Sequence, residues 1–458
     1  MPRNLQKQAA KQQARIAALN TLGTPVSSRP GSDVEEDWET ASDTSTVDSI
    51  ATLDEVSLSD EVRRCVDDLG EKRASVRETA LAKLNRLLAH HYCGNFFAEN
   101  ASSQEALLQL LSRSLRKPGS AKEAQLAARG IALAFANQAE LSSSEQEGLY
   151  GMVLSLLKST ILHSLDSELK YQSIETLSFI TFIAASQADT KGGLEYFYNI
   201  LASEGEDLQP EELEEDKRLS SADIDRLIEA CIRAYGLLYA SLYGDTRGTW
   251  EDAWDESQSV MPVHLELLQS KATQTRISAG ENVALMFDCV KTLKDEAEDE
   301  DENGATPEYV EMDELKDALQ RLSTDSNKRV NKQDRKEQRT AFRDINRSVE
   351  NGDRPKHRLK IGGTLLHFRG WAQQVELAAF RNFLGPGLAR HLQENELLQA
   401  VFAGTQEESS ESGGEELEEE TVGTAFGFEG EDEDLMLSAQ SAAGKRDRAR
   451  RLKMSKGR

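Results

Sequence analysis

Four arginines lie four residues apart between positions 335 and 347, a spacing that puts their side chains on one side of an α-helix. They are Arg335, Arg339, Arg343 and Arg347. Like charges at this spacing destabilise an isolated helix by about 0.2–0.5 kcal/mol per pair, so helix stability does not explain them. Guanidinium groups match the geometry of phosphate oxygens, and such contacts hold a nucleic-acid backbone without reading its bases. The spacing therefore predicts a surface for RNA or for an acidic protein partner.

A solvated, structural helix face is the alternative interpretation of the same stretch. Three acidic residues are close enough in sequence to pair with the arginines: Asp334, Glu337 and Asp344. The helix could also dock on the chain's own acidic segments. In both cases the apolar stripe of Phe342, Ile345 and Val349 would pack on a core.

Motifs of familiar enzyme classes do not occur in the sequence, which has no GxxxxGK[ST] phosphate loop, no GxGxxG, no HExxH and no GxSxG. His90, His91 and Cys93 form the one close His/Cys cluster, but a zinc site needs a fourth ligand at a recognisable spacing. Packing at a helix end is the expected role of these three residues. The carboxylates stand in runs typical of solvated surface. We therefore predict no enzyme, no metal and no cofactor.

Residues 371–402 carry a dense apolar load in a charged neighbourhood. Gly385-Pro386-Gly387 must end the first helix of this stretch, and a second apolar helix face follows. Four residues are expected to hold the two helices together as the core of a small module: Trp371, Phe380, Leu392 and Leu398. So much hydrophobic surface needs either the rest of the chain or another molecule to pack against.

Five polar residues crowd into one turn and a half of the second helix: His391, Gln393, Glu394, Asn395 and Glu396. A helix that needed only solubility would be served by Lys, Glu or Ala at these positions. We therefore expect directional hydrogen bonds from them, either to a binding partner, which is the favoured interpretation, or to the remainder of the chain.

Residues 387–398, GLARHLQENELL, together with the preceding Trp371, resemble the C-terminal signature of the interferon-related developmental regulator family. Residues 276–287, RISAGENVALMF, resemble the end of that family's helical N-terminal domain, and the acidic leader around Trp38 is also similar. The resemblance spans roughly residues 30–402. It implies a non-enzymatic regulator of gene expression, described as a transcriptional coregulator. Association with ribosomes is also described for members of the family. It implies no catalytic residues.

Helical patterns recur between residues 55 and 290. Segments 76–84, 124–132, 171–179, 227–235 and 276–284 each place small or aliphatic residues on one face, and they return at intervals of 47 to 56 residues. This period is near the roughly 40–47 residues of HEAT and armadillo repeats, whose helix pairs stack into a solenoid. We therefore predict an all-α fold, a HEAT/armadillo-like α-solenoid, with an irregular helical bundle as the alternative.

Charge is segregated along the 458 residues, whose net charge is −26. The first twenty residues are basic and carry no acid, and the last fourteen, 445–458, contain eight Lys or Arg against a single Asp. That tail is typical of a nuclear-localisation signal or a nucleic-acid-binding patch. Alternatively, it is a nonspecific basic tail that balances the negative charge of the acidic run 407–434. The four cysteines are far apart in sequence and suit a reducing compartment. Because the sequence shows no apolar leader and no run of about 18 apolar residues, we expect a soluble intracellular protein of the nucleus, the cytoplasm or both, with no membrane partner.

These features predict four regions. Residues 1–54 form a disordered basic and acidic leader, and residues 55–326 form the helical-repeat domain, ending in an acidic linker. Residues 327–404 hold the basic helix, a short hairpin around Gly362-Gly363 and the C-terminal helical module, and residues 405–458 form a disordered acidic segment with a basic tail.

The function predicted from these regions is a non-enzymatic scaffold that regulates gene expression through protein partners, in the manner of a transcriptional coregulator. The alternative is a translational regulator associated with ribosomes or RNA. No small-molecule substrate is expected.

Overall fold

The computed structural model describes residues 55–98, 101–138, 143–209, 218–244, 247–297, 309–324, 331–361 and 364–405. The predicted leader 1–54, residues 298–308 and 325–326 of the acidic segment, and the tail after Thr405 lie outside these ranges. Within them the fold is an all-α solenoid with one small β-hairpin, which confirms the predicted fold class. Its free cysteines, Cys65, Cys93, Cys231 and Cys289, are all buried, as expected of thiols that act as small apolar side chains.

Helices form the repeat array in six consecutive pairs. The pairs are α1 Glu55–Asp68 with α2 Ala74–His90, α4 Ala101–Arg116 with α5 Ala121–Ala136, α6 Ser143–His163 with α7 Ser167–Ala184, α8 Gln187–Ala202 with α9 Ser221–Tyr243, α10 Trp250–Leu267 with α11 Thr273–Glu296, and α12 Met312–Thr324 with α13 Lys332–Asn351. A short helix, α3 Gly94–Ala98, joins the first two pairs.

The second helices of the pairs form a continuous row, since α2 contacts α5, α5 contacts α7, and so on through α9, α11 and α13. Each of the five recurring sequence segments lies in one of the first five of these helices. Small residues at this seam allow close approach. A Cβ on Gly280 of α11 would lie 2.8 Å from the Phe342 ring and 2.9 Å from the Ile345 side chain of α13. The recurrence predicted from sequence is therefore the packing row of the solenoid.

Side-chain caps start several of these helices. Ser220 accepts a hydrogen bond from the Asp223 amide and caps α9, as its Ser-x-x-Asp pattern suggests, and Asp166 caps α7 through the amides of Glu168 and Leu169. The related pattern Ser75-x-x-Glu78 does not mark a cap, because α2 already begins at Ala74. A cap of this kind satisfies amide groups that the first turn cannot pair internally.

The basic helix belongs to the array. The basic composition after residue 327 predicts that this helix belongs with the C-terminal module in region 327–404, but α13 pairs with α12 and continues the row on α11. The acidic segment 291–326 likewise contains the end of α11 and all of α12. Surface charge changes at this point of the chain, while the buried apolar pattern that defines a repeat continues.

A two-stranded antiparallel hairpin follows, β1 Lys356–Ile361 and β2 Thr364–Arg369, which confirms the predicted hairpin. The chain then forms α14 Gly370–Leu384, a tight turn Gly385–Gly387, α15 Leu388–Glu394, α16 Glu396–Val401 and a final turn Ala403–Thr405. Helix α14 packs on α9 and α11 and also reaches α2 and α5, while α15 packs on α2. The C-terminal segment 370–405 thus runs along the row of second helices from the last pairs to the first.

Candidate binding surfaces

The Gly-Pro-Gly turn brings backbone against backbone. A Cβ on Gly387 would collide with the carbonyl oxygen of Ala89 and with the Cα of His90, at the end of α2. Only a residue without a side chain fits there. The turn therefore breaks the apolar helix and also docks the C-terminal segment on the first repeat.

His391 and Asn395 are fully buried at this contact. The Asn395 side-chain amide donates to the carbonyl oxygen of Ala136 at 2.7 Å and lies 3.2 Å from Nδ1 of His391. Its Oδ1 accepts from the Leu397 amide at 3.0 Å and caps α16. Burial lowers the pKa of His391 to about 4, so the ring is neutral at ordinary pH. The directional hydrogen bonds expected of Asn395 are made within the chain, to the last residue of α5.

The other three polar residues of the predicted partner-binding set are exposed: Gln393, Glu394 and Glu396. Arg390 approaches the Glu394 carboxylate at 3.9 Å and donates a hydrogen bond to Nδ1 of His91. Of the five neighbouring polar residues, His391 and Asn395 thus form an internal contact, and the other three lie on an accessible surface. The prediction that they contact a partner is corrected for His391 and Asn395, because side chains without solvent exposure are out of a partner's reach, and it stays a prediction for the exposed three.

The expected module core packs on the array and so does not form a separate unit. The Phe380 ring meets Phe179 of α7 edge-on at 5.1 Å and Phe402 at 5.7 Å, and Phe383 stacks on Phe179 at 4.5 Å. Leu398 is fully buried and Leu392 partly so. These side chains belong to the same hydrophobic core as the helix pairs. The apolar surface of residues 371–402 is therefore covered by the rest of the chain.

Two charged residues fix the C-terminal segment to the array and were missed by the sequence reading. Asp288 of α11 is buried and accepts a hydrogen bond from the Trp371 amide at 2.8 Å and an ion pair from Arg354 at 2.9 Å. Burial raises the pKa of this carboxyl, against the opposing effects of Arg354 and the Trp371 amide. Arg129 of α5 donates to the carbonyl oxygen of Phe383 at 2.9 Å. A lone acid or base inside an apolar helical run is the signal that could have found them.

Trp371 is itself buried, and its indole N–H donates to the Ser348 hydroxyl of α13 at 2.8 Å. The ring thus joins the start of α14 to the end of the basic helix. A buried indole usually needs such a partner, and here the partner lies on the last helix of the array.

The arginine stripe of α13, defined as Arg335, Arg339, Arg343 and Arg347, points away from the core. The last three are exposed and Arg335 is half-buried, while Phe342 and Ile345 on the opposite side have no exposed surface. Arg347 approaches the Asp344 carboxylate at 3.8 Å. Within the described residues, Arg335, Arg339 and Arg343 make no ion pair with a carboxylate, although the charge of Arg343 acts on the nearby Asp344. Arg339 donates to the carbonyl oxygen of Arg335 at 3.2 Å. The stripe is an accessible row of positive charge.

No group of three metal-ligating side chains comes together in the described part of the chain. Cys93 is buried, its amide donates to Asn137 Oδ1 at 2.8 Å, and burial raises the pKa of its thiol to about 12. His91 faces Arg390 in the contact with α15. His90 and His91 thus lie where the C-terminal segment docks at the end of α2, while Cys93 joins this end of the first repeat to Asn137 at the end of α5. Among the helices described, none combines the length and apolar character needed to cross a bilayer.

Comparison with known proteins identifies related chains. A family model described as interferon-related developmental regulator matches residues 24–350, so the match ends with α13. Interferon-related developmental regulator 2 of Mus musculus is 27% identical over 346 residues, which cover 74% of this chain and 71% of the relative. Interferon-related developmental regulator 1 of Sus scrofa is 35% identical over 136 residues, covering 30% and 28%. An uncharacterized protein of Schizosaccharomyces pombe is 24% identical over 342 residues, covering 71% and 70%.

Proposed function

The chain belongs to the interferon-related developmental regulator family, and from that premise we propose that it is a non-enzymatic scaffold that regulates gene expression by binding. Its proposed partner is the phosphate backbone of RNA, in the ribosome, held by the arginine stripe of α13. The observation that carries this proposal is the exposure of Arg339 and Arg343 without an ion pair to a carboxylate in the described residues.

Electrostatics favours an anionic partner for this stripe. Unpaired like charges one turn apart repel one another, and an RNA backbone would replace that repulsion with charge-assisted hydrogen bonds. The helix is held by its apolar side, with Phe342 and Ile345 buried against α11. Because that support does not involve the arginines, their charge can be changed without removing the packing that positions them.

Sedimentation of a cell extract with and without ribonuclease tests the proposal. We expect the chain to sediment with ribosomes and to leave those fractions when Arg339 and Arg343 are both replaced by Glu. The matched control replaces the exposed Lys122 and Lys191 by Glu, because this gives the same change in net charge at other sites.

A salt titration adds a quantitative measure. Each lost phosphate contact should reduce the slope of log affinity against log salt by about 0.7–0.9. If the Arg339→Glu/Arg343→Glu variant and the lysine control bind alike at every salt concentration, the arginine stripe is a solvated face and the proposal fails.

A protein partner in transcriptional regulation is the second candidate function, and the exposed group Gln393, Glu394 and Glu396 favours it. These side chains are available to a partner, whereas the neighbouring His391 and Asn395 are not. Recovery of chromatin-bound regulatory proteins after nuclease treatment should then fall on replacing Gln393 and Glu396 by Ala. Unchanged recovery by that variant, at unchanged thermal stability, would remove this candidate.

A further inference from the structure

The hairpin β1–β2 has one basic face, and three of its side chains make no ion pair within the described residues. Register pairs Lys356 with Arg369 and Arg358 with His367, so that these four side chains share one face. Lys356, Arg358 and Arg369 are exposed. Within the described residues none of these three makes an ion pair or a side-chain hydrogen bond. The basic hairpin face, as we name these four residues, is separate from the arginine stripe of α13.

Hairpin stability does not require this arrangement. The opposite face holds Phe368 and Leu366, both buried, and it supplies the packing of the hairpin on the C-terminal segment. On the basic hairpin face, Lys356 and Arg369 stand directly opposite each other, and like charges in that position destabilise a strand pair. A polyanion lying along the face would remove this repulsion.

We propose that the basic hairpin face is the docking surface for the chain's own acidic segment, residues 407–434. That segment holds thirteen Asp or Glu and no Lys or Arg, so its charge complements the face. It begins two residues after Thr405, whose hydroxyl donates to the Phe402 carbonyl oxygen at 2.8 Å. The turn Ala403–Thr405 packs against β2, and the Phe402 ring meets Phe368 at 5.3 Å. Thr405, the last described residue before the acidic segment, therefore lies beside the hairpin, on the side of its buried face.

Chain length also permits the contact. A strand of six residues is about 20 Å long at roughly 3.3 Å per residue, and the acidic segment is long enough to follow both strands. A tether this short makes the effective concentration of the segment on the order of millimolar. The contact would cover the basic hairpin face against other polyanions, and any free partner would have to displace the segment first.

Carbodiimide cross-linking of the purified full-length protein tests the proposal, because it joins a lysine directly to a touching carboxylate. We expect Lys356 to couple to residues 407–434 with at least fivefold the yield of the exposed Lys122 and Lys191, and expect that excess to disappear near 1 M salt, where the Debye length is about 3 Å. Replacing Glu415, Glu416, Glu418, Glu419 and Glu420 by Gln should reduce it, because five of the thirteen carboxylates are lost. Arg358→Gln with Arg369→Gln should reduce it while Lys356 remains as the reporter.

Three further results would each overturn the proposal. One is equal coupling at Lys356 and Lys122. Another is coupling of the acidic segment to the basic tail 445–458 with no coupling at Lys356. A chain that ends at Gly444 lacks this tail, and it must still form the product between Lys356 and the acidic segment. The last is a product that forms only between two copies, visible when isotope-labelled and unlabelled chains are mixed. If Lys356 does not couple, and added RNA binds in a manner lost in the Arg358→Gln/Arg369→Gln variant, the face belongs to RNA instead.

Discussion

Replacing Asn395 by Ala should destabilise the docking of the C-terminal segment, and the size of the effect follows from its contacts. The substitution removes the cap of α16, which typically contributes about 1 kcal/mol. It also leaves the carbonyl oxygen of Ala136 buried without its donor, at a cost of about 1–3 kcal/mol. Ala136 is the last residue of α5, so no later residue of that helix can replace the lost donor. We expect a loss of about 2–4 kcal/mol in the free energy of unfolding.

Urea denaturation followed by circular dichroism measures the loss, and hydrogen exchange locates it. The Leu397 amide, which donates to Asn395 Oδ1, should exchange markedly faster in the variant. Gln393→Ala is the matched control, because Gln393 is exposed two residues away in α15, and it should change stability by less than about 0.5 kcal/mol. If Asn395→Ala unfolds at the same urea concentration as the control, the buried hydrogen bonds do not hold the segment, and the assignment of Asn395 to docking is refuted.

Three further predictions concern the docking of the C-terminal segment on the array. Burial lowers the pKa of His391 from 6.5 to about 4, so the folded state favours the neutral ring. The stability that results is fully present above pH 6.5 and is lost as pH falls toward 4, by up to about 3 kcal/mol. Urea titrations at pH 7.5 and 5 should therefore show a smaller pH dependence of the free energy of unfolding for His391→Gln than for the unchanged protein. Asp288→Ala leaves the buried Trp371 amide without its acceptor, while the half-exposed Arg354 can turn to solvent. It should cost about 1–3 kcal/mol and shift the tryptophan fluorescence, whereas an unshifted spectrum would contradict the role of Asp288 in holding the start of α14. Gly387→Ala should lower the melting temperature, because the added methyl group collides with α2. The control Gly192→Ala, in open space on α8, should raise stability by about 0.5–1 kcal/mol. Equal effects of the two substitutions would disprove the close approach at Gly387.

Periodicity in the sequence was enough to find five of the second helices, because each buries a stripe of small and aliphatic residues against two neighbours. It also placed Phe342 and Ile345 on the buried side of α13 and predicted a hairpin around Gly362-Gly363. Composition could not assign α13 to the array, because α13 is strongly basic while α12, which pairs with it, lies in an acidic segment. Charge on the solvent side carries no information about which repeat a helix belongs to.

Sequence alone could not say what covers the apolar surface of residues 371–402. Asn395 and Ala136 are 259 residues apart, and nothing local to either residue specifies the other. A polar cluster on a short helix predicts hydrogen bonds but not their destination. The structure divides the cluster, with Asn395 bonded inside the chain and Gln393 exposed, so the two residues require different functional interpretations although they are two positions apart.

The C-terminal segment changes how the array holds together. In a solenoid each repeat contacts its neighbours only, and stability is approximately a sum of local terms. Here Asp288 fixes the start of α14 to the fifth pair, Arg129 fixes its end to the second, and Arg390 with His91 joins α15 to the first. Loss of packing in a terminal pair therefore also removes contacts of the C-terminal segment with the others. The segment makes the ends of the array depend on one another, and it does so with buried residues, which leaves the exposed arginines and the exposed polar residues of α15 and α16 available for binding.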